Sequence, residues 1–214
     1  MRKINERAAD VSTLLKQMYP KAKCSLDFTT AFELLIATML SAQSTDVRVN
    51  LVTKALFHKY PGPREFAAAS QVEMERDVRQ TGFFRNKAKA VIAASQKIML
   101  EHGGEIPRTM EALTALPGVG RKTANVVLSN ALNTPVGFVV DTHVSRVAGR
   151  LGFTSNSDAE EIEQDLMKLI PQKEWTSFGH RLIEHGRTIC IARKPKCSDC
   201  GLNELCPSAE EPRE

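Results

Sequence analysis

Apolar residues recur along the chain at steps of three and four. The segments AFELLIATML (31–40), VNLVTKALF (49–57), KAVIAASQKIML (89–100), TANVVLSNAL (123–132) and EIEQDLMKLI (161–170) all carry this spacing, which turns one face of a helix toward a core. Ala, Leu, Lys, Glu and Gln are common in them and suit helices. The pattern predicts about ten helices and no sheet, an all-α fold. Boundaries are marked too. Ser44 and Thr45 can cap a helix beginning near Asp46, and Ser157 precedes an acidic first turn, DAEE, that complements a helix N-terminus. Pro61-Gly62-Pro63, Gly103-Gly104 and Pro117-Gly118-Val119-Gly120 interrupt the periodicity. The one strand-like run, VGFVV at 136–140, is too short for a sheet and reads as a linker.

A chain of 214 residues forms one compact unit or two small lobes. Its 42% hydrophobic and 25% charged content excludes both a disordered chain and a disulfide miniprotein. No apolar stretch follows the basic N-terminus, and FELLIATML contains Glu33 and is far too short to span a bilayer, so the expectation is a soluble, cytoplasmic protein without a membrane partner. The tail from Ser208 onward, with three Glu, reads as a frayed end without chemistry.

An excess of four positive charges permits an anionic partner without requiring one. Placement says more. Lys and Arg gather at 76–97, 121–122 and 181–196, while 158–165 is acidic. Because these basic clusters coincide with a glycine turn and a cysteine cluster, they point toward phosphate.

Leu116-Pro-Gly-Val-Gly-Arg-Lys-Thr123 lies between two helical patterns, giving helix, hairpin, helix. Glycines there let main-chain N–H groups approach an anion beside the positive end of the next helix. Gly118, Val119, Gly120 and Arg121 are therefore candidates to hold a DNA backbone phosphate, a grip that reads no base sequence. A nucleotide P-loop is excluded. Arg121 stands where that motif needs a glycine, Leu116 replaces its first glycine, and the preceding segment is helical.

Lys122 opens the second helix. The helix terminus, Arg121 and partial desolvation would all disfavour its ammonium form, leaving an amine able to attack a sugar carbon and form a Schiff base. The plainer role is a phosphate contact. Asp141, just before a helix start, is by position an N-cap. Its sharper role is a carboxylate that stabilises positive charge on a sugar ring or activates the nucleophile. His143 is a cap neighbour, a phosphate contact or a packed histidine.

Four of the five cysteines crowd into Cys190-x6-Cys197-x2-Cys200-x5-Cys206. Clustered thiols without a secretory signal favour a soft metal centre over disulfides. Zinc is the alternative to an iron–sulfur cluster, although zinc ribbons usually offer two close Cys pairs and this loop has one. Arg193, Lys194 and Lys196 lie inside the loop, so closing it would present several cations to a phosphate chain.

Together, Leu116 to Asn125 (LPGVGRKTAN), Val140 to Arg146 (VDTHVSR) and the cysteine spacing resemble the endonuclease III family of DNA base-excision glycosylases, with LSAQSTD (40–46) and HGR (185–187) extending the match over nearly the whole chain. The resemblance implies two helical lobes: a six-helix barrel with the helix-hairpin-helix at 25–135, and an iron–sulfur lobe formed by both chain ends, 1–24 and 136–214. It implies that Lys122 is the Schiff-base lysine, Asp141 the essential carboxylate, and Cys190, Cys197, Cys200 and Cys206 the ligands of a [4Fe-4S] cluster. Gln43 falls where the family fills the gap left by an extruded base. The implied activity is excision of oxidised pyrimidines from duplex DNA, followed by β-elimination at the abasic site, by a monomer associated with chromosomal DNA in the cytoplasm.

One departure lies in the loop TGFFRN (81–86), which has Phe83-Phe84 where many relatives have Leu then Tyr. Phe83 either wedges into the base stack or packs in the core. A mismatch-adenine glycosylase would lack a lysine at 122, and an 8-oxoguanine glycosylase would generally lack the cysteine quartet. A noncatalytic DNA-binding module would leave Lys122 and Asp141 without a purpose.

Overall fold

The computed structural model describes residues 3–209; residues 1, 2 and 210–214, which include most of the tail expected to fray, lie outside the described residues. Among the described residues there are eleven α-helices and no strand. The helix α1 (Ile4–Met18) is followed by α2 (Ala31–Ser41), α3 (Asp46–Lys59), α4 (Pro63–Ala68), α5 (Gln71–Asp77), α6 (Phe84–His102), α7 (Met110–Thr114) and α8 (Arg121–Asn130), and then by α9 (Thr142–Arg150), α10 (Ala159–Leu169) and α11 (Trp175–Thr188). The chain divides into a continuous unit, Cys24–Val136, and a split unit, Met1–Lys23 with Gly137–Glu214.

The continuous unit is built around α2, which is apolar nearly all round and buries Phe32, Leu34, Leu35, Ile36, Ala37, Met39 and Leu40. A helix of that kind belongs inside a core. Glu33, the charge that breaks its apolar run, belongs to a capping box: Thr30 Oγ1 accepts from Glu33 N at 3.1 Å, and the Glu33 carboxylate accepts from Thr30 N at 3.4 Å. Phe66 of α4 is fully buried, with the rings of Phe32, Tyr60 and Phe57 at 5.2, 5.3 and 6.4 Å. Burying a side chain of this size contributes about 2–3 kcal/mol. Thr45, rather than Ser44, caps α3 by accepting from Arg48 N.

The split unit packs α1 with α9–α11 around Phe138, Phe178 and Trp175, whose indole donates to Ile170 O at 2.8 Å. Arg7 of α1 donates to the carbonyls of Leu151 and Leu205, so one guanidinium ties the first helix to the end of α9 and to the cysteine loop. The cap of α10 falls one residue later than Ser157: Asp158 Oδ1 accepts from Glu160 N at 2.8 Å and from Glu161 N at 3.2 Å. A carboxylate takes the position because it satisfies two amides and also complements the helix dipole. The segment 136–140 has no regular structure, and Phe138 and Val140 anchor it in the core.

Candidate nucleic-acid interface and metal centre

In the continuous unit the hairpin 116–120 is pinned from below. Leu116 and Val119 are buried, and Val119 N donates to Leu116 O at 3.1 Å. Gly118 has φ 75°, and a Cβ there would stand 2.8 Å from Ala90 Cβ and 3.2 Å from Met39 Cε. Both the left-handed backbone and the close approach to α6 and α2 require glycine. Gly118→Ala is expected to destabilise the protein by about 2–4 kcal/mol, combining left-handed strain with overpacking. Thermal unfolding checks it, and an unchanged midpoint would mean that the hairpin does not rest on these helices.

Gly120 is different. A Cβ there would meet nothing within 4 Å, so the lack of a side chain leaves open space rather than an internal fit. Gly120 is the N-cap of α8 and offers no side-chain cap, and the first turn holds no acidic residue. The N-cap itself therefore supplies no side-chain acceptor to the amides that open α8. Arg121 and Lys122 place positive charge against the positive end of the helix, an arrangement that an external anion would relieve. Lys122 is exposed. The partial desolvation expected for it is therefore not found within the protein, because the first turn of α8 leaves this side chain in water.

Two further tips belong to the same unit. Gln43, just beyond α2, and Phe83, just before α6, are both exposed and both left-handed, with φ 54° and 46°. Non-glycine residues adopt this region rarely and at a cost, and such positions cluster at functional sites. The adjacent phenylalanines part company. Phe83 is 64% exposed and so is not core packing, whereas Phe84 is half-buried with the guanidiniums of Arg85 and Arg79 at 5.5 and 5.9 Å from its ring centre.

In the split unit, Asp141 caps α9 with one oxygen. Oδ1 accepts from His143 N at 2.9 Å and from Val144 N at 2.8 Å, so both cap bonds spare Oδ2. His143 is half-buried, with Nδ1 3.3 Å from Arg146 Nη2. Arg146 also donates to Gly186 O at 2.8 Å and Cys190 O at 3.1 Å, linking α9 to the start of the cysteine loop.

Cys190, Cys197, Cys200 and Cys206 all line one cavity of about 540 Å³, together with Arg150, His185 and Leu202. Among the described residues no three Cys, His, Asp or Glu side chains converge on a point that could hold a single ion. Four thiols lining one cavity of this size are a donor set that a polynuclear iron–sulfur centre can take. Donors aim at the sulfurs: Arg150 Nη1 lies 3.3 Å from Cys190 Sγ and Leu202 N 3.4 Å from Cys200 Sγ. His185 Nε2 is 3.6 Å from Cys200 Sγ, and its Nδ1 is 3.0 Å from Tyr19 Oη. With the tyrosine donating to Nδ1, the imidazole proton sits on Nε2, facing the sulfur. Burial pushes the thiols of Cys200 and Cys206 up and the imidazole of His185 down to about 4. A neutral donor and N–H groups directed at sulfur fit bound thiolates, whose deprotonation a metal centre would enforce. Arg193, Lys194 and Lys196 are exposed on the loop, and Lys194 is left-handed with φ 52°.

Three contributors were missed by the sequence reading, two of them without any signal. Arg150 and Tyr19 look like ordinary helix residues and acquire their roles only through tertiary contact. Lys87 is the third and carried a faint signal: with Val91, Ala94, Ser95 and Ile98 it lies on the buried stripe of α6, where a lysine is out of place.

An all-helical fold with a glycine hairpin opening a helix, and a cavity of four thiols, defines a helix-hairpin-helix protein with a metal centre. Residues 36–172 match the HhH-GPD superfamily of base excision DNA repair proteins, and residues 190–206 match the iron-sulfur binding domain of endonuclease III. The chain is 53% identical to endonuclease III of Synechocystis sp. over 96% of its own length and 94% of that relative's. It is 39% identical to endonuclease III of Escherichia coli K12, covering 94% and 95%. The structure of a trapped endonuclease III–DNA covalent intermediate superposes with a TM-score of 0.91 at 43% identity, covering 98% of each chain. A thermostable thymine-DNA glycosylase shares the fold, with a TM-score of 0.88 at 23% identity. The chain belongs to the endonuclease III family and is a DNA-binding glycosylase and AP lyase of base excision repair, acting on oxidised pyrimidines, with a [4Fe-4S] cluster as its cofactor. No helix among the described residues is long and apolar enough to cross a membrane.

Proposed function

We propose that Lys122 is the nucleophile of this activity and Asp141 the carboxylate that supports it. Lys122 Nζ attacks the anomeric carbon of the damaged nucleotide and the base departs with the bonding electron pair. Opening of the sugar ring gives an imine, and loss of a proton from the neighbouring carbon expels the 3′ phosphate. Asp141 balances positive charge on the sugar as the base leaves, using the oxygen that the helix cap spares. Gly118, Val119, Gly120 and Arg121 grip a backbone phosphate, and His143, Arg193, Lys194 and Lys196 add contacts to the phosphate chain. Gln43 fills the space of the extruded base and Phe83 wedges into the stack.

The observation that carries this reading is Lys122 itself: an exposed amine in the first turn of a helix whose N-cap is a glycine without a side chain, directly after the hairpin. A DNA strand held at that turn would cover the amine and supply the desolvation that the protein alone does not.

Cys190, Cys197, Cys200 and Cys206 would hold the cluster. With all four protein positions taken, it serves to close the loop that carries Arg193, Lys194 and Lys196 rather than to act on substrate. On this reading residues 1–24 and 136–214 form the cluster domain and residues 25–135 the hairpin-bearing barrel, and the enzyme works as a monomer on chromosomal DNA in the cytoplasm. Borohydride added to the protein with a duplex containing one abasic site should trap a covalent protein–DNA complex. A protein that binds the duplex without forming an adduct would instead be a binding module.

A further inference from the structure

Lys87 is a buried cation whose ammonium is held by two backbone carbonyls rather than by a carboxylate. It lies in the first turns of α6, is 7% exposed, and its Nζ donates to Leu40 O and to Thr81 O, both at 2.7 Å. Its backbone N–H donates to Phe83 O at 3.1 Å. Burial pushes the ammonium down from the usual lysine value. A positive charge near the N-terminal end of its own helix, out of water, is costly by itself.

What the ammonium holds explains the position. Leu40 O is one of the terminal carbonyls of α2, the end from which the chain turns through Ala42 into Gln43. Thr81 O ends the 3-10 turn Arg79–Thr81 that leads through Gly82 into Phe83. The two exposed, left-handed tips thus spring from carbonyls held by one ammonium, and each such charge-assisted bond is stronger than a neutral one. An apolar side chain in this place would leave both carbonyls buried without that donor.

We propose that Lys87 is a positioning residue that sets Gln43 and Phe83 at a fixed separation, so that the two tips enter the DNA stack as one rigid fork. This rests on the reading above that both tips enter the stack. Lys87 touches neither the DNA nor the reacting atoms. Its effect falls on extrusion of the base and spares the chemistry that follows, because Gly118 of the hairpin closes on Ala90 and Met39 and neither bond of the Lys87 ammonium goes to the hairpin.

The test uses the full-length, cluster-loaded protein and two duplexes. One carries thymine glycol opposite 2-aminopurine, whose fluorescence rises on unstacking; the other carries a preformed abasic site, where no base has to be expelled. Lys87→Met is expected to lower single-turnover excision of thymine glycol and the fluorescence rise by roughly 10- to 100-fold and to a minority of its amplitude, respectively, as a small misplacement away from the chemistry can do. Strand cleavage at the abasic site should stay within about threefold of the parent. Lys87→Gln, which retains donors on a shorter stem, should fall between the two and also serves if the methionine variant does not fold. Equal losses on both duplexes, or no loss on thymine glycol, would overturn the role of Lys87. Gln43→Ala and Phe83→Ala separate the two readings: if each leaves the fluorescence rise intact, the tips do not insert and the assignment beneath fails. If they abolish it while Lys87→Met does not, only the coupling fails.

Discussion

Lys122→Gln should remove the borohydride-trapped complex entirely and lower strand cleavage at an abasic site by roughly ten-thousand-fold or more, the scale expected when a covalent nucleophile is lost. Glutamine keeps much of the length of the side chain but has no amine to form an imine. Lys122 is exposed and holds nothing in the core, so thermal stability should change by no more than about 0.5 kcal/mol. Affinity for an uncleavable duplex should fall only modestly, because one cation is lost while the hairpin amides remain. Gel analysis of trapped adduct beside a binding titration separates the two effects. An adduct of normal yield in the variant would assign the nucleophile to another amine.

Asp141→Asn should lower single-turnover excision by about a hundred- to ten-thousand-fold while leaving folding nearly untouched. Asparagine caps helices about as well as aspartate, and its side-chain oxygen can still accept from His143 N and Val144 N. Only the negative charge is removed. Asp141→Ala removes the cap as well and should cost about 1 kcal/mol of stability in addition. Rates on a duplex with thymine glycol, read beside unfolding midpoints, distinguish the roles. If the asparagine variant excises at the parental rate, Asp141 is a helix cap and nothing more.

The all-helical character was legible because it rests on periodicity. The apolar stripes of α2, α6, α8 and α10 repeat often enough that no single residue decides them. The caps were legible to within a residue, since Ser, Thr and Asp are adjacent at 44–46 and 157–158 and only the local backbone chooses among them. The hairpin could be read in full, because the glycine needs of a turn are local. Lys122 shows the limit: chain order placed it at a helix start, but whether water reaches it depends on neighbours distant in sequence. Gln43 and Phe83 show another. Their left-handed backbones leave no compositional trace, since neither is a residue that favours that region. Lys87 lay in plain view on an apolar stripe, yet the carbonyls that explain it belong to Leu40 and Thr81, and only the fold brings these together.

The split unit has a consequence for synthesis. Its first helix, α1, leaves the ribosome before any of α9–α11, and the entire continuous unit is translated in between. The partners that cover Ala8, Val11 and Leu15 arrive only once that unit has had time to fold. Until then α1 carries an uncovered apolar stripe, and Arg7 waits for carbonyls at Leu151 and Leu205. The cysteine loop follows later still, so the four thiols that would hold the cluster come together only after the whole hairpin-bearing unit has been made.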